Sequence, residues 1–149
     1  MYPILLAAHN IIRWIALIVG IVVTVLAFLG WFRKKEWSDR DRTWGIFYTS
    51  AMDFQLLLGL LLYFFFSPIT RQAIQNFSAA MGNSGLSFFA IEHPLAMILA
   101  VVFAHLGSAL SKKAPDSAGK YKRAALWYTL SVLLMIIGMP WFRPLFPGF

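Results

Sequence analysis

Two of the three histidines in this chain, His9 and His93, lie in long apolar segments at similar predicted depth. An imidazole nitrogen that is buried in hydrocarbon without a partner is costly. A haem iron between two facing imidazoles would satisfy both rings, since it accepts two axial nitrogen ligands. The pair therefore predicts one bound haem b, with His9 and His93 as the metal ligands.

The other polar residues in these segments predict what would surround that group. Arg13 follows His9 by four residues, on the same helix face, and a buried guanidinium needs an anion. A haem propionate would serve, as would Glu92 at the level of the histidines or Asp53 nearer the midplane. An ion pair between Arg13 and either acid, fixing the helix register, is the alternative. Gln55 could hydrogen-bond a ligand or a neighbouring helix.

Two glycines, Gly59 and Gly138, fall at a comparable depth on the second and fourth apolar segments. Small residues at one level could leave room for a flat macrocycle. Close packing of neighbouring helices explains glycines in membrane segments equally well, so this alternative stays open.

The third histidine, His105, lies about 18 Å along the helix axis from the second, so the two cannot bind one iron. We expect His105 to be a hydrogen-bonded residue near the inner side of the membrane. Met135 and Met139 could replace one histidine as an axial ligand, although methionine in an apolar helix usually serves packing.

The segments that must position these residues are long enough to cross a bilayer. With 60% hydrophobic residues, the chain has four apolar segments, at 3–32, 44–66, 86–110 and 123 to about 140. A spanning helix needs about 20 residues and satisfies its own backbone hydrogen bonds. We predict an all-α, polytopic membrane protein: a single four-helix transmembrane domain over 1–149, arranged up and down. Helical spacing of apolar residues over 69–81 adds a short amphipathic interfacial helix.

A proline stands next to the second histidine, inside the third segment. Pro94 removes one helical hydrogen bond, which predicts a bend beside His93 and a free carbonyl at Ala90.

Charge placement predicts the orientation. The net charge is +7, and ten of the thirteen basic residues lie in two connections, at 33–42 and 112–123. The positive-inside rule then puts both termini and the 67–85 connection outside, which is periplasmic for a bacterial cytoplasmic membrane. The basic connections suit anionic lipid head groups of the bilayer and require no nucleic acid.

The absence of cysteine excludes several kinds of site. With no cysteine in the chain, disulfides, iron–sulfur clusters, thiolate-bound haem and covalent haem attachment are excluded. We find no nucleophile–base–acid set and no nucleotide-binding loop, so whether the protein is an enzyme stays open. The first apolar run lacks a basic leader and is too long for a cleaved signal peptide, so we expect it to be retained.

Four short runs of this sequence resemble a known family. They are HNIIRW at 9–14, FQLLLG at 54–59 followed by LYF at 62–64, FAIEHP at 89–94, and MPW at 139–141. Together they are similar to small bacterial four-helix membrane proteins known as cytochrome b-like proteins, and the similarity extends over nearly the whole chain. The resemblance implies a haem b membrane protein with His9 and His93 as candidate ligands.

Three functions remain open from the sequence. The first is electron transfer between a quinone pool and an outer acceptor, by this chain alone, as a homo-oligomer or as a subunit of a larger membrane complex. The second is a cofactor-free accessory or assembly subunit whose polar residues join helices. The third is proton or ion handling through Arg13, Asp53, Glu92 and the histidines. A histidine-bound chlorophyll-type pigment is a variant of the first.

Overall fold

The chain folds into seven helices and two short π-helical segments within residues 1–144, the part that this computed structural model describes. No strand occurs in that part. In chain order the helices are α1 (Tyr2–Phe32), α2 (Asp39–Leu61), α3 (Pro68–Gln75), α4 (Phe77–Met81), α5 (Ser84–Ser87), α6 (His93–Lys112) and α7 (Ser117–Ile137). The π-helical segments are Leu62–Phe66, which continues α2, and Phe88–Glu92, which leads into α6.

Three helical stretches are long and apolar enough to cross a membrane: Tyr2–Phe32, Asp39–Phe66 and Ser84–Lys112. The protein is therefore an all-helical, multi-pass membrane protein. The fourth predicted span, at 123 to about 140, is not among these three. Helix α7 carries three basic residues in its first two turns, and the apolar remainder at 124–137 is about 21 Å long.

The four long helices pack in a ring in which each contacts its two neighbours. Helix α1 packs against α2 and α7, and α6 packs against the same two helices. Helices α1 and α6, which carry His9 and His93, are therefore diagonally opposed. Helices α6 and α7 pack closely where a Cβ on Gly107 would lie 2.5 Å from Tyr128 Cε1. This glycine leaves room for the tyrosine ring between the two helices.

A buried polar chain joins three of the long helices in the core. Ser131 Oγ donates to the carbonyl of Ala100 at 2.6 Å, and it lies 2.6 Å from Tyr48 Oη. Because the serine proton goes to Ala100, the tyrosine hydroxyl donates to Ser131. These bonds fix α2, α6 and α7 relative to one another.

The two basic connections lie together at the end of the bundle remote from His9. Ser117 Oγ, at the start of α7, donates to Glu36 Oε2 at 2.7 Å. Tyr121 Oη donates to Asp41 Oδ2 at 2.9 Å, and Asp41 also forms a capping box with Ser38 at the start of α2. The bonds bring together the positive charge that the sequence distributes over two separate connections.

The outer connection differs from the single amphipathic helix predicted over 69–81. It forms two short helices, because the side chain of Asn76 accepts the N–H of Ala79 and starts a new helix there. The connection is packed on the bundle through buried Ala73 and Ala80, which lie against Ala90.

Candidate functional site

His9 and His93 approach each other at the outer end of the bundle. Their ring centroids are 6.3 Å apart, and the ring planes are inclined by 70°. Two imidazoles that share one metal through bonds of about 2.0 Å have ring centroids about 6 Å apart. The separation therefore fits a single shared metal, although the two rings come from helices that do not otherwise pack together.

Local backbone geometry places His93. Pro94 cannot donate to the carbonyl of Ala90, and the helix is π-helical over Phe88–Glu92, immediately before His93. The hydroxyl of Tyr63 donates to the Ala90 carbonyl instead, at 2.9 Å. The freed carbonyl expected from the sequence is thus present, and it ties the outer end of α2 to α6.

One nitrogen of His93 is held by the backbone. His93 Nδ1 lies 2.7 Å from the carbonyl oxygen of Gly138, so Nδ1 carries the proton and donates it. Among residues 1–144, Nε2 makes no hydrogen bond. A metal-bound histidine commonly donates its second N–H to a backbone carbonyl, and His93 has this arrangement.

His9 is held by two residues of α2. Gln55 Nε2 lies 3.1 Å from His9 Nε2, and a Cβ on Gly59 would lie 3.3 Å from His9 Cε1. An amide N–H that donates to Nε2 requires a lone pair on that ring nitrogen. His9 Nδ1 and Gln55 Oε1 are buried without a hydrogen-bond partner in the described part of the chain. Orphaned buried polar atoms are uncommon and indicate that a further group belongs here.

Two adjoining cavities meet at the histidine pair. One, of about 280 Å³, extends toward the outer surface between α1, the start of α3 and residues 140–144. The other, of about 240 Å³, lies between α2 and α6 and has mainly apolar walls. Both are lined by the same five residues: His9, Arg13, Gly59, Tyr63 and His93. Together they fall in the range of about 300–1,000 Å³ that is typical of ligand pockets.

Arg13 supplies a buried positive charge to this space. Its side chain is buried, lines both cavities and stacks over the Trp14 ring at 5.5 Å from the ring centroid. A guanidinium binds carboxylates in a fork geometry, so this position suits an acidic group on a ligand.

The two predicted acids lie elsewhere. Glu92 is exposed and accepts a hydrogen bond from Ser87 Oγ at 3.1 Å, away from both cavities. Asp53 pairs with His105 across α2 and α6, at 2.7 Å. The structure therefore does not bring either acid to the cavities.

Gly138 and the two methionines also have defined places. Gly138 is not among the residues that line the two cavities: its carbonyl holds His93, and its missing side chain lets α7 approach Met97 and Ala96. Met135 and Met139 are buried and line the cavity between α2 and α6.

Tyr63 is a site residue that the sequence reasoning missed. Its ring lines both cavities and its hydroxyl satisfies the carbonyl freed by Pro94. The signal was present in the sequence, since a free carbonyl in a membrane helix requires a donor from a neighbouring helix.

A two-histidine site fits a haem better than a bare metal ion. Within residues 1–144, no group of three or more His, Cys, Asp or Glu side chains is placed to hold a metal ion. Two histidines suffice when a porphyrin supplies the other four ligands. The spacing of the rings, the orphaned atoms beside His9 and the buried cation fit that group.

Comparison with known proteins adds no assignment. Neither a protein-family model, nor a curated protein, nor a solved structure matches this chain. The resemblance to cytochrome b-like proteins therefore stays a prediction.

Proposed function

We propose that the protein is a haem b-binding electron-transfer protein, in which His9 and His93 ligate one iron. The observation that carries the proposal is the 6.3 Å separation of the two rings at the junction of two cavities. A haem held in this way supplies reversible one-electron chemistry at its iron. A membrane protein of this kind would pass electrons between a lipid-soluble quinone and an acceptor at the outer surface.

The protein's own residues would orient and charge-balance the bound group. The Gly138 carbonyl fixes the ring of His93 and keeps Nε2 available as a ligand. Gly59 leaves space beside His9. The buried guanidinium of Arg13 would pair with a propionate. Apolar walls between α2 and α6 would exclude water from the ring.

We further propose that α7 is a fourth span and that both termini are periplasmic in a bacterial cytoplasmic membrane. The pairing of α7 with α6 and α1 along the bundle supports a fourth crossing. Its basic first turns would lie at the inner head groups, where lysine and arginine extend toward water. The two basic connections, held together at one end, support the same orientation. The haem would then lie in the outer leaflet.

An absorption spectrum of the purified protein tests the haem directly. We expect a Soret band that shifts on reduction, and its loss in both His9→Ala and His93→Ala. The matched control is His105→Gln, which changes the third histidine and should keep the band. A folded but colourless protein from cells supplied with haem would overturn the proposal and favour a cofactor-free accessory subunit.

A further inference from the structure

A second polar pair lies outside the cavities, on the surface between α2 and α6. His105 Nε2 and Asp53 Oδ1 are 2.7 Å apart, and the two side chains are 51% and 54% exposed. Asp53 is the fifteenth of 28 residues in the stretch Asp39–Phe66, so it lies near the middle of that span. Neither residue lines the cavities at the histidine pair.

The surface that carries this pair faces the bilayer. Counted along the helices from Arg42 and Lys112, the pair lies about 10–17 Å inside the basic connections, within a hydrocarbon layer of about 30 Å. Ionisable side chains at this depth usually face a protein interior or a binding site rather than lipid. Exposure of half of each side chain leaves room for a polar group from the bilayer to cover the pair.

The geometry of the pair defines which polar group would bind. A carboxylate beside Nε2 accepts its proton and fixes the ring tautomer. His105 Nδ1 then holds a lone pair, and it makes no hydrogen bond among residues 1–144. An aspartate that orients an imidazole in this way makes the opposite nitrogen an acceptor for a hydroxyl proton. A hydroxyl group would supply such a proton.

Apolar residues connect the pair to the cavity between α2 and α6. Leu56 lies three residues after Asp53 and Val101 lies four residues before His105, on the same helix faces, and both line that cavity. A ligand with its hydroxyl at His105 could thus extend an apolar body past Leu56 and Val101 into the cavity between α2 and α6. Entry would be sideways from the bilayer, which selects a lipid-soluble molecule.

We propose that Asp53 and His105 form a binding site for the hydroxyl head group of a lipid-soluble hydroquinone. The hydroxyl donates a hydrogen bond to His105 Nδ1, and Asp53 holds the ring in the orientation that accepts it. The site stands on its own contacts and goes beyond the haem proposal, since binding here needs neither His9 nor His93.

The test is equilibrium binding of 2-heptyl-4-hydroxyquinoline N-oxide, a fluorescent, lipid-soluble hydroquinone analogue, to the full chain in lipid nanodiscs. We expect saturable binding at one site per chain, with fluorescence quenched on binding. His105→Gln and Asp53→Asn should each weaken binding by up to about tenfold, the cost of losing one hydrogen bond. Ser50→Ala, a change at an exposed polar residue one turn earlier on α2, should bind like the wild type.

Four outcomes would overturn the site. The first is absence of saturable binding, and the second is equal affinity in all four proteins. The third is binding that is lost in His9→Ala but kept in His105→Gln, which would put the probe in the two cavities at the histidine pair. If His105→Gln instead dissociates an oligomer and leaves probe binding intact, the pair is an interface between copies and the site is also refuted. None of these results depends on whether the haem proposal holds.

Discussion

Replacing Gln55 by leucine tests whether His9 would ligate an iron through Nε2. The amide of Gln55 lies 3.1 Å from His9 Nε2 and uses the lone pair of that nitrogen. If His9 held an iron through Nε2, that bond would use the same lone pair, and the hydrogen bond from Gln55 would be lost. Leucine has a similar size and cannot form this bond. We therefore expect Gln55→Leu to bind haem more tightly than the wild type.

The expected increase in haem affinity of Gln55→Leu follows from the strength of one hydrogen bond inside a membrane helix bundle. Such bonds contribute about 0.6 kcal/mol on average and about 1.7 kcal/mol at most. These values correspond to an affinity that is about threefold to about eighteenfold higher at room temperature. Titration of haem into the apoprotein, followed by the Soret absorbance, measures the change. Gln75→Leu, at an exposed glutamine of α3, is the matched control and should leave the affinity unchanged.

Whether the haem affinity rises or falls in Gln55→Leu decides between two roles of Gln55. If the glutamine instead accepts a proton from His9 and orients the ring for binding, Gln55→Leu will bind haem less tightly. A lower haem affinity in Gln55→Leu, with the affinity of Gln75→Leu unchanged, would thus refute the idea that Gln55 and the iron compete for the lone pair on His9 Nε2.

Three further changes test other contacts. Gly59→Val places a branched side chain where a Cβ is already 3.3 Å from His9 Cε1, so we expect loss of bound haem, measured by its absorbance per chain. Tyr63→Phe removes the hydroxyl that satisfies the Ala90 carbonyl and should cost about 1 kcal/mol of unfolding free energy in detergent titration. The cost should shrink in Pro94→Ala, because a backbone N–H can then reach the same carbonyl. Gly107→Ala puts a Cβ 2.5 Å from a core tyrosine ring and should lower the unfolding free energy by about 1–3 kcal/mol.

Each of these changes has a control or a contradicting result. Gly82→Ala, where the nearest atom to a new Cβ is 3.5 Å away, should alter neither haem content nor stability. Haem content equal to wild type in Gly59→Val would show that His9 does not need this space. An equal cost of Tyr63→Phe with and without Pro94 would show that the freed carbonyl is not what the tyrosine satisfies.

The long helices could be predicted because a membrane selects for uninterrupted apolar length, which is visible in one sequence. Their ends follow polar signals instead. Helix α2 begins at Asp39 rather than at 44 because the Ser38–Asp41 capping box extends it beyond its apolar part. The outer connection breaks at Asn76 for a similar reason, since a side-chain cap there starts a new helix. Hydropathy alone contains neither signal.

Which residues of each helix point toward the cavities could be predicted less well than the helices themselves. Gln55 and Gly59, four residues apart, do share the face toward His9. Asp53 precedes Gln55 by two residues and is thus about 200° around the helix from it. The aspartate therefore points to the surface and pairs with His105 rather than lining the cavities. Rotation about the axis, which depends on packing with neighbours, decided which acids could reach Arg13.

The bundle is closed between α6 and α7 and has a cavity between α2 and α6. Helices α6 and α7 approach closely where Gly107 receives a tyrosine ring and where Gly138 lies against Met97. A flat macrocycle cannot enter through that contact. The cavity of about 240 Å³ lies between α2 and α6, and the Asp53–His105 pair lies on the same side of the bundle. A ring bound by the histidines and a lipid-soluble donor would therefore both approach the bundle between α2 and α6.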